Sequence, residues 1–159
     1  MKFSLIDQIS EIHPGERISA VKCLSLAEEY LQDHFPRFPV MPGVLMLEAM
    51  TQTGAWLVRV TNNFSHSVTV LKEARNVKYG NFVEPGEMLV VKAELVKMDG
   101  NLASLKVSGE VAGTVAVSSR IVLESYNSSG TDEPNITDQN AIRQLKQQYD
   151  LLFRQPSAL

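Results

Sequence analysis

The chain has 159 residues, a formal net charge of −3, 44% hydrophobic residues and 21% charged residues. That length fits one domain with a modest core, and the composition is that of an ordinary folded chain. The weak negative charge gives no support to nucleic-acid binding through bulk positive charge, and a single cysteine, Cys23, excludes an intrachain disulfide framework.

The N-terminus, MKFSLIDQIS, reaches Asp7 before an apolar run of signal-peptide length forms. No stretch of ~18 apolar residues occurs, so no membrane span is expected and the cytoplasm is the expected compartment. HPGERISAVKCLSL opens on the turn signal Pro14-Gly15. Alternation then predicts a strand at residues 17–26, with Ile18, Ala20 and Cys23 on the core side and Arg17, Ser19 and Lys22 outward. AEEYLQDHFP reads as a short helical or irregular approach to a run of prolines.

At Pro42-Gly43 the pattern changes to VLMLEAMTQTGAWLVRVTNN. Proline suits the first turn of a helix, and residues apolar nearly all round predict a long buried helix ending near Asn62-Asn63. Arg59 lies near its C-terminal end, where the helix dipole favours a cation. Alternating runs then predict strands at about 68–77, 87–98, 101–112 and 114–124. Asp99-Gly100 is a hairpin signal, and Ala112-Gly113 separates two more runs. Short turns make the sheet antiparallel. One buried helix with five or six antiparallel strands gives an α+β fold in which the sheet curls around the helix.

The domain is expected to occupy residues 1–126, followed by a polar linker over 127–137. A C-terminal amphipathic helix and tail then cover 138–159, with Thr137 as N-cap and Ile142, Leu145, Tyr149 and Leu152 on one face.

The chemistry concentrates in DHFPRFPVMPGVLMLEAM. Glu48 has Val44, Leu45, Thr51 and Gln52 as helical neighbours. A carboxyl in such surroundings must be neutralised, paired or hydrogen-bonded; Gln52 can reach it, and burial favours the protonated form that a general acid needs. Fourteen positions earlier stands His34, ahead of Pro36, Pro39 and Pro42, which stiffen the loop. Imidazole is the side chain suited to accepting a proton near neutral pH. Gly43, at the helix N-terminus, offers a backbone N–H to an oxygen that becomes negative. Base, acid and oxyanion donor together suffice to remove a proton alpha to a thioester carbonyl and expel a beta-hydroxyl as water. Each residue also has a plain structural reading, a surface or capping histidine and a satisfied structural carboxylate, and spacing by itself does not choose.

The string HFPRFPVMPGVLMLEAMTQ closely resembles the active-site segment HFPGxPVMPGVLxxEAxAQ of the 3-hydroxyacyl-[acyl-carrier-protein] dehydratases of bacterial fatty-acid synthesis. LKEARNVKYGNFVEPGEMLVV is similar to that family's KARF segment, and the likeness spans roughly residues 12–124. The resemblance implies the hotdog fold and a homodimer or trimer of dimers. His34 would be the base, Glu48 the acid and Gly43 the donor to the thioester oxygen, with base and acid of one site contributed by different subunits. It implies a substrate carried on the phosphopantetheine of acyl carrier protein and no cofactor. Arg37 in place of a small residue, Thr51 in place of alanine, the missing PHRxPFLLVDR segment and the C-terminal helix depart from the pattern. The dehydratase–isomerase branch carries Asp where this chain has Glu48, and hotdog thioesterases lack the string. A non-catalytic carrier-binding or acyl-binding hotdog module is the main alternative, with a thioesterase less favoured.

Among other residues, His13 and His66 read as surface groups and Cys23 as a small core residue. No His, Cys or carboxylate cluster has metal-ligand spacing. Lys72, Arg75 and Lys78 are candidates for docking an acidic carrier, against the plainer reading of a solvated face. Leu45, Met46, Met50 and Phe82 are candidates for an acyl tunnel or for plain packing.

Overall fold

A computed structural model describes residues 4–154. The first hairpin joins β1 (Gln8–His13) to β2 (Arg17–Cys23) through the Pro14-Gly15 turn, with Gly15 at φ +78°. β1 escapes a period-2 search because its register against β2 shifts between Ile9 and Glu11. The bulge lets Ile9 and Ile12, three apart, both pack toward the core.

On β2 two expectations are corrected. Lys22 is buried, 5% exposed, and Cys23 is exposed. A strict two-residue period puts Lys22 in phase with Ile18 and Ala20. The lysine survives there because its Nζ lies 2.5 Å from Glu28 Oε1.

A single turn, α1 (Tyr30–Asp33), precedes the central helix α2 (Gly43–Thr61), which at 19 residues is about 28 Å long. Ala49, Met50, Thr53 and Leu57 are fully buried on it. Thr51 and Thr53 return their hydroxyls to the carbonyls of Leu47 and Ala49, so neither polar group is stranded in the core. Arg59 lies over the Trp56 ring at 4.7 Å, and burial pushes its guanidinium down to about 10.

The remaining strands are β3 (Val68–Tyr79), β4 (Met88–Asp99), β5 (Leu102–Val111) and β6 (Thr114–Tyr126). The sheet is antiparallel throughout, in the order β1-β2-β4-β5-β6-β3. Its inner face, including Val91, Leu105, Ile121 and Leu123, is buried, and α2 touches every strand from β2 to β6. At Gly54 the absence of a side chain lets the helix approach, for a β-carbon there would stand 3.3 Å from Leu105 Cδ2. This is the hotdog arrangement, a sheet wrapped around one helix. It leaves β1 and β3 as edges, the latter 12 residues long.

α3 (Ile136–Leu152) is capped by Asn135, not Thr137. The Asn135 side chain accepts from Asp138 N while the Asp138 carboxylate accepts from Asn135 N, a reciprocal pair that sets the start earlier than the apolar period suggests. Tyr149 then packs 6.0 Å from Trp56 and 5.8 Å from Phe64, docking α3 on the C-terminal end of α2.

Candidate active site

The segment between β2 and α2 carries the histidine. It is tied down by the Lys22–Glu28 pair, by Leu31, 3% exposed, and by the His34 amide donating to Tyr30 O at 3.2 Å. Phe35 follows at φ +48°, a left-handed conformation uncommon for an aromatic residue. A tight turn, with Phe38 N donating to Phe35 O at 2.8 Å, holds it there. The Phe35 ring lies 4.5 Å from the imidazole.

His34 opens on a cavity of about 440 Å³, within the range of small-molecule sites. Its walls include Phe35, Gly43, Met46, Tyr79 and Phe82. Gly43 sits under the Tyr79 ring, leaving no room for a side chain, and its amide is among the first helical N–H groups, which have no intrahelical acceptor. Phe35, Phe82 and Tyr79 are 60%, 63% and 51% exposed, so an aromatic rim faces outward around the mouth. Phe38 braces Phe82 edge-on at 5.4 Å.

Glu48 is not among the lining residues of this cavity. Five positions beyond Gly43, it leaves the helix about 140° further round the axis. It is partly buried and accepts from Gln52 Nε2 at 3.2 Å, while Gln52 Oε1 accepts from Leu5 N at 2.9 Å. The chain therefore brings together the histidine, the glycine amide and the apolar wall, and turns the carboxyl toward another side. Among the described residues no group of three or more His, Cys, Asp or Glu gathers to hold a metal ion.

The tunnel candidates divide. Met46 and Phe82 line the cavity, whereas Met50 is fully buried in the core and Leu45 packs against it. Tyr79 escaped notice in the sequence because it follows Lys78 in an ordinary alternating run; only the strand's position beside α2 brings it to Gly43.

The basic candidates all lie on β3. Lys72 approaches Glu124 at 3.9 Å and Arg75 pairs with Glu73 at 2.7 Å. Lys78 enters a groove of about 510 Å³ on the outer face of the sheet, with Lys92, Lys106 and Arg120 from three other strands. Cross-strand register assembles it: Lys106 faces Arg120, Arg120 faces Arg75, and Ser118 faces Lys78. Like charges opposite one another cost stability. Among the described residues Lys78, Lys106 and Arg120 have no ion-pair partner.

Sheet, helix and cavity define a hotdog-fold protein with a histidine in an aromatic-rimmed pocket at the N-terminus of its central helix. The FabA-like domain model matches residues 1–124. The 3-hydroxyacyl-[acyl-carrier-protein] dehydratase FabZ of Oceanobacillus iheyensis is 37% identical over 119 residues, covering 75% of this chain and 85% of that protein. FabZ of Caldicellulosiruptor bescii is 35% identical over 113 residues, covering 71% and 81%. Among solved structures, the dehydratase heterocomplex ApeI:P of Xenorhabdus doucetiae superposes with a TM-score of 0.67 at 19% identity, covering 80% of this chain and 86% of that one, a likeness of fold. The chain belongs to the FabA-like family of 3-hydroxyacyl-[acyl-carrier-protein] dehydratases.

Proposed function

We propose that this chain dehydrates 3-hydroxyacyl thioesters carried on acyl carrier protein to trans-2-enoyl thioesters, in fatty-acid or related lipid or polyketide synthesis in the cytoplasm. The observation that carries the reading is the convergence of His34 and the Gly43 amide in one cavity, within a chain 37% identical to a FabZ dehydratase. The Gly43 N–H holds the thioester oxygen as negative charge develops on it. His34 removes the alpha proton, and Glu48 delivers a proton to the departing beta-hydroxyl, so that a C–H and a C–O bond break and water leaves. The chemistry is proton transfer and needs no cofactor.

Because Glu48 leaves α2 on a different side from the cavity, the acid of each site comes from a second copy. The long free edge of β3 supports that assembly, since an edge strand of 12 residues, paired with β6 on one side only, is a ready template for antiparallel pairing. Such a homodimer, alone or as a trimer of dimers, brings two cavities and two carboxyls together. The groove of Lys78, Lys92, Lys106 and Arg120, backed by Lys72 and Arg75, crosses four strands on the outer face of the sheet, and its Lys78 adjoins Tyr79 on β3. It is the docking face for the acidic carrier.

The purified protein, given a 3-hydroxyacyl carrier substrate, gains enoyl-thioester absorbance, and His34→Ala removes that gain. Equal inertness of both proteins with carrier binding retained makes the chain a binding module instead, and release of free thiol makes it a thioesterase.

A further inference from the structure

We propose that the N-terminal segment, residues 4–7, is a positioning strap for the acid: the Leu5 amide pins Gln52 so that its NH2 end meets one Glu48 oxygen and leaves the other to carry the transferable proton. The inference rests on the acid role proposed for Glu48.

A glutamine amide is two-ended. Turned one way it donates to a neighbouring carboxyl; turned the other it presents an oxygen, which repels a carboxylate or captures the proton of the acid. A backbone N–H can only donate. With Leu5 N placed 2.9 Å from Gln52 Oε1, the oxygen end is occupied and the NH2 end faces Glu48 Oε1 at 3.2 Å. The acid then holds its proton on the other oxygen, Oε2.

The donor itself is held in place. Leu5 and Ile6 are 1% and 2% exposed, so the strap is anchored by two buried apolar side chains. Asp7 ties it to β2 twice: its amide donates to Val21 O at 2.8 Å and its carboxylate accepts from Cys23 N at 2.7 Å. These contacts set where the Leu5 amide stands relative to α2, although 47 positions of chain separate Leu5 from Gln52. Residues 4–7 also fall inside the stretch that matches the FabA-like model, despite lacking the PHRxPFLLVDR wording.

The test is a thermodynamic cycle on the full-length protein, using Leu5→Pro, which removes the N–H donor together with the buried leucine side chain, Gln52→Leu, and the double variant; Leu5→Ala, which loses the side chain and keeps the amide, measures the cost of the side chain alone. Leu5→Met, which keeps the amide, is the control. The Leu5 amide is followed by hydrogen exchange in every variant that carries it, and kcat and KM are read in parallel. Each single variant of the cycle breaks the Leu5–Gln52–Glu48 chain of hydrogen bonds. The value of kcat falls by about tenfold with KM within about twofold, as expected when a group is misaligned rather than removed. The double variant is no worse than Gln52→Leu alone, because the strap acts only through that side chain. In Gln52→Leu the Leu5 amide loses its protection from hydrogen exchange, a readout that serves even where Leu5→Pro does not fold. A Leu5 amide that keeps its protection in Gln52→Leu, or fully additive losses in the double variant, overturns the proposal. Wild-type protein that is inactive on hydroxyacyl carrier sinks the dehydratase reading instead, and hydrogen exchange at the Leu5 amide still judges the strap.

Discussion

A β-carbon on Gly43 would stand 2.8 Å from Tyr79 Cε1 and 3.1 Å from Cζ, so the first residue of the central helix and the end of β3 are in contact as closely as a glycine permits. Gly43→Ala therefore displaces the aromatic wall of the cavity as well as adding a methyl group. We expect a stability loss of about 1–3 kcal/mol by overpacking and a clear fall in kcat/KM. Tyr79→Leu in the same chain makes room and recovers part of both. Thermal melts and kinetics of the single and double variants check this; a double variant no better than Gly43→Ala would show that the contact does not shape the site.

The composite-site reading predicts a complementation. His34→Ala and Glu48→Gln each lower kcat by about 10²–10⁴-fold, the usual worth of an acid or base. If acid and base come from different copies, unfolding the two variants together and refolding them as mixed dimers restores about one quarter of wild-type activity, since half the dimers carry one intact site. Sites built within one chain restore none.

The docking proposed for the outer groove would be electrostatic. Lys78→Glu and Arg120→Glu are expected to raise KM for a carrier-borne substrate several-fold and to flatten its dependence on salt. KM for the same acyl group on a small pantetheine thioester stays where it was. A shift that is equal for both substrates assigns the effect to the cavity rather than to the groove.

Asp138 makes α3 sensitive to acid. Its side chain is fully buried and accepts from the hydroxyls of Ser129, Ser67 and Ser128 and from the amides of Ser128 and Asn135. The Ser129 hydroxyl first, then Ser67, Ser128 and the Asn135 amide, hold the carboxyl well below the usual aspartate range against the opposing effect of burial. A carboxyl depressed on folding adds stability that is complete above its unfolded value, about 3.9, and is lost as pH falls below that value. Asp138→Asn should lower Tm by several degrees at pH 7 and lose part of the wild-type fall in Tm below about pH 4. Melting curves across that range check it, and parallel wild-type and variant curves would contradict it.

Much of the fold was legible because its signals are local. The central helix announces itself by an apolar run opened at Pro42-Gly43, and the sheet by alternation broken at Gly100 and Gly113, both at positive φ. What local reading missed, it missed for physical reasons. The bulge in β1 breaks the period on which strand recognition depends. Lys22 looks like an outward residue until Glu28 is placed beside it, and a cap made by the Asn135–Asp138 pair outweighs the apolar spacing around Thr137.

The sequence by itself determined the kinds of groups available: a proline-stiffened histidine, a glycine at a helix start, a glutamate one turn before a glutamine. Tertiary structure alone decided which of them meet. Tyr79 reaches Gly43, Leu5 reaches Gln52 and Ser67 reaches Asp138 across 71 positions because sheet register and helix packing join distant segments. The same helical rotation that puts Gly43 on the His34 cavity turns Glu48 away from it. Short-range periodicity carries no information about either outcome, because both depend on where the helix lies against the curled sheet.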